Sequence, residues 1–484
     1  MPVLGIDVGT QSLKAIILGD DLRLLGAGSR AYQPSYPQPG WAEQAPELWL
    51  QALRPAIGQA LRAAGLAASD VHAVAVAGQV DGCIATDGGG LALAPAIIWM
   101  DRRATSELAR LVPGQVEGRC GLVPDATHMA AKIAWFARHY RDAPVSTWHQ
   151  PVSFVVAALS GERVIAHSLA STTMLYALAA RSWDCELLDA FGVSSAALPR
   201  LAEETDVAGP LTAAGARLTG LVQGTPVVVG TGDDFSGPLG CGVTRPGVVA
   251  VSLGTAETVA ALAECPLRDT DLLVETHAFP GGLYHLGNPG WLSGGSVRWA
   301  CGLLGLDSAA RFSQLAAEAP AGCDGLTFIP ALNGAMAPRW IAQARGSFIG
   351  LSTSHGPSHL ARAVLEGTAF AMRDVIDRLA ALGVPAQRLR LMGGGARSAL
   401  WCQIRVDVSG RPADVLGDSD ASAVGAGLMA AVGAGIFPDI QAASGALSLQ
   451  LRPVTARMEL AGCYDDAYGR YRERFAALEP TWRH

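Results

Sequence analysis

Lysine is almost missing from this chain: of 36 basic residues only Lys14 and Lys132 are lysines. Acids outnumber bases 43 to 36, a formal charge of −7, so no basic surplus exists to hold a nucleic-acid backbone. The nine cysteines are scattered singly with no Cys-x-x-Cys pair. That spacing argues against a zinc ribbon or a dithiol redox site and suits small buried thiols in a reducing compartment. The first residues lack the charged and apolar regions of a secretory leader. The most apolar later run, Ala421 to Phe437, falls short of the roughly 20 residues that span a bilayer. The expectation is a cytoplasmic protein that engages neither membrane nor nucleic acid.

Several catalytic signatures are also missing. No Gly-x-x-x-x-Gly-Lys-Ser/Thr loop, Gly-x-Gly-x-x-Gly fingerprint, Gly-x-Ser-x-Gly elbow or His-Glu-x-x-His pair occurs. A P-loop enzyme, a Rossmann dehydrogenase, a serine hydrolase of the elbow type and a zinc protease therefore have no support.

What is present is a chain of 484 residues, half of them hydrophobic, long enough for two or three domains with large cores. Short β-rich runs alternate with helical patterns, the rhythm of an α/β protein. Leu4 to Asp7 with Lys14 to Leu18 reads as a hairpin, and Val71 to Ala77 as a buried strand. Further strands are expected at Val227 to Gly230, Val248 to Leu253, Leu326 to Ile329 and Leu389 to Met392. A helix is expected from Ser358 to Gly383, and another carries Tyr464, Tyr468, Tyr471 and Phe475 on one face as core. The strand leading into Asp7-Val8-Gly9-Thr10 is echoed, without the acid, by Val251-Ser252-Leu253-Gly254-Thr255. The echo suggests two similar domains, 1–244 and 245–484.

Three places could carry chemistry. Asp7 ends a strand just before Gly9, Thr10, Gln11 and Ser12; it can place a divalent ion beside phosphate-binding amides, or serve only as a turn acid. Lys14 either faces phosphate or points outward from its strand. Asp233 and Asp234 follow a buried strand and can supply a general base for a phosphoryl acceptor, or merely cap the next helix. From an extended backbone, only one of the two acids can point into a site. Gly393-Gly394-Gly395-Ala396-Arg397 follows a strand and lets backbone approach a flat ring or a phosphate closely.

Taken together, these residues resemble the FGGY carbohydrate kinase family, most closely its xylulokinase branch, from Leu4 to about Phe475. The first phosphate loop is Gly5-Ile6-Asp7-Val8-Gly9-Thr10-Gln11-Ser12-Leu13-Lys14. Gly40-Trp41-Ala42-Glu43-Gln44-Ala45-Pro46-Glu47, Trp99-Met100-Asp101-Arg102-Arg103 and Gly346-Ser347-Phe348-Ile349-Gly350-Leu351 match further family segments. The resemblance implies two actin-like (ribonuclease H-like) domains with ATP and Mg²⁺ in the cleft between them. It also implies Asp233 as catalytic base, Asp7 and Asp233 at the metal, and Gly9, Thr10, Gln11, Ser12, Lys14, Gly254, Thr255, Gly393, Gly394, Gly395 and Arg397 around the nucleotide. Gln79, Val80, Asp81, Trp99, Asp101 and Asp234 would meet a small sugar, D-xylulose first and another pentulose or polyol second. A homodimer is the default expectation for such an enzyme. The other reading is an actin-like ATP switch without an acceptor.

Departures fall where the acceptor is chosen. Xylulokinases usually show Gly-Gln-Met-His-Gly where this chain has Gly78-Gln79-Val80-Asp81-Gly82, and Asn where it has Asp234. A carboxylate only accepts hydrogen bonds, so the exchange changes which hydroxyls and carbonyls fit.

Overall fold

The structure, a computed structural model, describes residues 1–417 and 420–482. Apolar runs closed by tight turns build the first sheet from β1 (Val3–Val8), β2 (Ser12–Leu18), β3 (Leu24–Ala31), β4 (Val74–Gly78), β5 (Val207–Pro210) and β6 (Pro226–Gly232), in the order β5-β6-β4-β1-β2-β3. β1 and β2 form the expected hairpin, with Asp7 directly opposite Lys14. β4 and β6 run parallel to β1, as their near-continuous burial requires. The expected strand at Val71 begins three residues later, after a short turn at Ala68–Asp70.

A second sheet repeats the plan with β7 (Gly247–Leu253), β8 (Ala256–Ala263), β9 (Glu275–Phe279), β10 (Leu283–Leu292), β11 (Ala386–Met392), β12 (Ala413–Leu416) and β13 (Leu451–Val454), ordered β9-β10-β8-β7-β11-β12-β13. Its first hairpin, β7/β8, is antiparallel, while β11 and β12 run parallel to β7. The sequence echo thus marks equivalent turns, each closing the first hairpin of its sheet. This doubled sheet with flanking helices is the two-domain ribonuclease H-like fold. The strand expected at Leu326–Ile329 is present as Thr327–Ile329, and it pairs with Ser347–Ile349 in a separate two-stranded ribbon.

The helices that position the site are α1 (Pro46–Ala64), α2 (Met129–His139), α3 (Asp233–Gly240), α4 (Gly294–Leu303), α5 (Pro357–Ala381), α6 (Ala399–Ser409), α7 (Ala421–Gly433) and α8 (Ala461–Leu478). Tyr464, Tyr471 and Phe475 of α8 are buried in the core and Tyr468 packs against it, as the stripe predicts. Among the described residues no helix is long and apolar enough to cross a membrane.

One helix of each half crosses to the other. α7, from the second half of the chain, covers β1 and β4 of the first sheet, and Phe235 and Leu239 of α3 share a core with Ala250 and Met392 of the second. The two helices meet backbone to backbone through glycine. A Cβ on Gly425 would lie 1.9 Å from the Ser236 carbonyl oxygen, and one on Gly240 equally close to that of Ala421. Gly425→Ala therefore forces the helices apart, with an expected loss of about 1–3 kcal/mol in equilibrium denaturation. An unchanged midpoint would mean that the crossing can shift freely.

Candidate active site

The β1/β2 turn is held from several sides. The Gly9 N–H donates to Ser12 O at 3.1 Å, Tyr32 donates to Gly9 O at 2.7 Å, Gln44 Nε2 to Thr10 O at 2.7 Å and Trp99 Nε1 to Thr10 Oγ1 at 3.0 Å. Gln11 is exposed at its tip and Ser12 opens β2. Asp7 sits beneath the turn with Oδ1 buried and without a hydrogen-bond partner. Burial pushes its carboxyl up to about 6, against the pull of Lys14. The Lys14 ammonium neither stands free nor points away: it lies 2.7 Å from Asp420 Oδ1, just ahead of α7, so it joins the two halves across the cleft.

Asp233 and Asp234 open α3 immediately beyond β6. Gly232 is the residue ahead of the helix and neither carboxylate caps it; Asp233 Oδ1 instead accepts the Asp234 N–H at 3.2 Å. Both acids line the same space, contrary to the extended-chain expectation. Successive helical residues diverge by about 100° rather than 180°, so neighbours at a helix start can share a site. Enclosure in the cleft raises the Asp233 carboxyl well above the usual range, with Asp234 and then Asp7 adding to it. Asp234 is pushed up to about 6 by the same enclosure, then by Asp81 and Glu275.

Asp233 stands between two connected cavities. One, of ≈ 320 Å³, reaches Asp7, Lys14, Ser252, Gly393 and Asp420; the other, of ≈ 330 Å³, reaches Gln79, Val80, Asp81, Trp99, His128 and Trp340. Beyond the β7/β8 turn a third cavity of ≈ 640 Å³ is bordered by Gly254, Thr255, Gly294, Arg298, Gly394, Gly395 and Trp401. Its walls are therefore the two glycine turns expected around a nucleotide. Arg298 reaches Thr255 Oγ1 at 3.4 Å. Arg397, at the end of the Gly394–Arg397 turn, is exposed.

One expected contact residue lies elsewhere. Asp101 is fully buried behind the cavity wall, where its carboxylate receives the Ala42 and Arg103 N–H groups and the Arg103 guanidinium. Arg103 in turn pairs with Glu43 at 2.7 Å and lies 3.6 Å over the Trp41 ring, so Trp41, Glu43 and Asp101 form one structural cluster. The carboxylate was legible; its partner two residues away was not.

The surroundings of Asp81 go beyond what the sequence showed, since His128 and Glu275, which line the same cavities, stood in no motif. Asp81 adopts φ 58°, and its backbone is fixed by Gln150 Oε1 at 2.9 Å and by Lys132. The Lys132 ammonium is buried and donates to the carbonyls of Asp81, Ile98 and Thr127, tying three loops together. Burial brings its pKa down to about 8. His128 Nδ1 lies 3.3 Å from Asp81 Oδ1, and Nε2 lies 3.2 Å from Val123 O and 3.7 Å from Glu275 Oε1. Burial lowers its pKa, but the two carboxylates outweigh burial and raise it well above the usual value. Glu275 belongs to β9, so it approaches this cluster from the other sheet.

Comparison with known proteins meets this geometry from both ends of the chain. Residues 2–240 match the N-terminal domain, and residues 249–434 the C-terminal domain, of the FGGY family of carbohydrate kinases. The xylulose kinase of Escherichia coli (strain K12) is 33% identical over 442 residues, covering 89% of this chain and 90% of that protein. The glycerol kinase of Gloeobacter violaceus is 32% identical over 450 residues, 90% of this chain and 89% of that one. The crystal structure of the xylulose kinase from Rhodospirillum rubrum superposes with a TM-score of 0.93 at 30% identity, over 100% of both chains. Two matched domains, paired sheets and an aspartate that lines both cavities of the cleft converge on a single assignment: the chain belongs to the FGGY family and is a carbohydrate kinase.

Proposed function

We propose that the chain transfers the γ-phosphoryl group of ATP to a terminal hydroxyl of an acyclic five-carbon sugar or polyol. The observation that carries this reading is the place of Asp233, on the wall shared by the two connected cavities. Relatives named xylulose kinase support D-xylulose, with D-xylulose 5-phosphate as product, and relatives named glycerol kinase support a polyol.

The nucleotide lies against Gly254, Thr255, Gly394 and Gly395, whose bare backbones let a ring and phosphates approach closely. The acceptor fills the cavity beside Gln79, Val80, Asp81 and Trp99, with its terminal hydroxyl at Asp233. The carboxylate takes the hydroxyl proton as the oxygen bonds to the γ-phosphorus; the bridge to the β-phosphate breaks and ADP keeps that electron pair. Asp7 and Asp233 fit a magnesium ion, since the buried, unpartnered Asp7 Oδ1 calls for a cation. With the nucleotide bound, that ion would offset phosphate charge. Walls from both sheets exclude water, which directs the phosphoryl group to the acceptor rather than to hydrolysis.

The test is ADP release from ATP and Mg²⁺ in the presence of D-xylulose, L-xylulose, D-ribulose, L-ribulose, xylitol, ribitol, erythritol or glycerol. At least one acceptor should stimulate release many-fold over the acceptor-free rate. Slow hydrolysis indifferent to all of them would overturn the reading in favour of an actin-like ATP switch.

A further inference from the structure

The acceptor cavity is uneven in its hydrogen-bonding chemistry. Each of its amide and indole nitrogens already makes a bond within the protein: Gln79 Nε2 with Gln44 Oε1 at 2.8 Å, Trp99 Nε1 with Thr10 Oγ1 at 3.0 Å, and Trp340 Nε1 with Leu273 O at 3.5 Å. The His128 nitrogens face Asp81 Oδ1 and Val123 O. Arg102 pairs with Asp125 at 2.7 Å, and its half-exposed side chain stands at the rim. Two of the acceptors are in the opposite condition. Gln79 Oε1 is buried with no partner, and among the described residues the Asp234 carboxylate receives no hydrogen bond. Asp81 and Glu275 add carboxylates to the same cavity, each with one oxygen partnered, Asp81 by His128 at 3.3 Å and Glu275 by the Val123 N–H at 2.8 Å, so that their other oxygens add acceptor capacity.

Such a surface asks its ligand for donors. A hydroxyl group supplies one at every carbon, whereas a carbonyl oxygen can only accept and meets lone pairs on Asp81, Asp234 or Glu275. A carbonyl placed against Asp234 leaves both itself and that carboxylate unpaired in an enclosed site, which is the costly arrangement. We propose that the acceptor is an alditol, a polyol with a hydroxyl on every carbon, taken in preference to the ketose of the same carbon skeleton, and that Asp81, Asp234 and Glu275 enforce this choice. The inference rests on the kinase reading above and narrows its substrate class.

The experiment compares kcat/KM within matched sets: xylitol against D- and L-xylulose, and ribitol against D- and L-ribulose. In the set containing the best acceptor, the alditol should exceed both ketoses by at least about tenfold, a difference of about 1.4 kcal/mol. A smaller margin, or a ketose preference, overturns the inference while leaving the kinase reading intact. Absence of stimulation by any acceptor overturns both. A second measurement tests the cause: Asp234→Asn keeps shape but presents an amide donor, so the alditol-to-ketose ratio should fall severalfold. An unchanged ratio would remove Asp234 from the selecting residues.

Discussion

Asp233→Ala should leave nucleotide binding nearly intact and lower kcat by about 10²–10⁴-fold, the usual contribution of a positioned general base. The carboxylate lines both the cavity that reaches Asp7 and Lys14 and the one proposed for the acceptor, so its loss removes the group placed to take the hydroxyl proton. Single-turnover ADP formation and calorimetric nucleotide binding separate the two effects; near-normal turnover would overturn the assignment of the base. The same residue sets a pH dependence. Enclosure and the charges of Asp234 and Asp7 raise the Asp233 carboxyl, and the base works only when deprotonated, so kcat/KM should climb as pH rises through that elevated pKa. Asp234→Asn removes the nearest like charge, so the acid limb should move to lower pH. A limb that stays in place would mean that another group governs it.

The parts of this molecule legible in the sequence are those built from contiguous residues. The hairpin that sets Asp7 against Lys14, the strand that delivers Asp233, and the glycine turns at 254 and 393–395 are each a strand followed by a turn, and local pattern suffices for them. The acceptor cavity is different. His128, Glu275, Met336 and Trp340 come from segments far apart in the chain, and no spacing rule joins them before the sheets assemble. Asp101 shows the converse: a polar residue in a matching segment became a buried partner of Arg103, because a neighbouring guanidinium claimed it first. The crossing of α7 onto the first sheet was equally hidden, since its apolar Gly/Ala run suits any close helix contact and names no partner.

Arg405→Met should lower the unfolding free energy by about 3–5 kcal/mol, the range for leaving one partner of a buried ion pair alone. The Arg405 and Glu257 side chains are both fully buried and joined by two hydrogen bonds of 2.5 and 2.6 Å. Desolvation raises the Glu257 carboxyl and lowers the Arg405 guanidinium, so the paired geometry is what keeps both charges tolerable. The pair also binds to one another the walls of the cavity proposed for the nucleotide. Glu257 lies two residues past Thr255, Ser293 Oγ accepts from Arg405 at 3.2 Å just ahead of Gly294, and the guanidinium lies 4.8 Å over the Trp401 ring. Loss of Arg405 should therefore raise KM for ATP more than it lowers kcat, a split that general destabilisation would not produce. Removing both charges, as Glu257→Met with Arg405→Met, should recover much of the stability, because no lone charge remains in the core. It should not recover the ATP affinity, since the tie between the Thr255 turn and the Gly294 helix is still missing. A single variant within about 1 kcal/mol of the parent in denaturant, with unchanged KM for ATP, would show that water or a neighbouring group satisfies Glu257 and that the cavity walls hold without the pair.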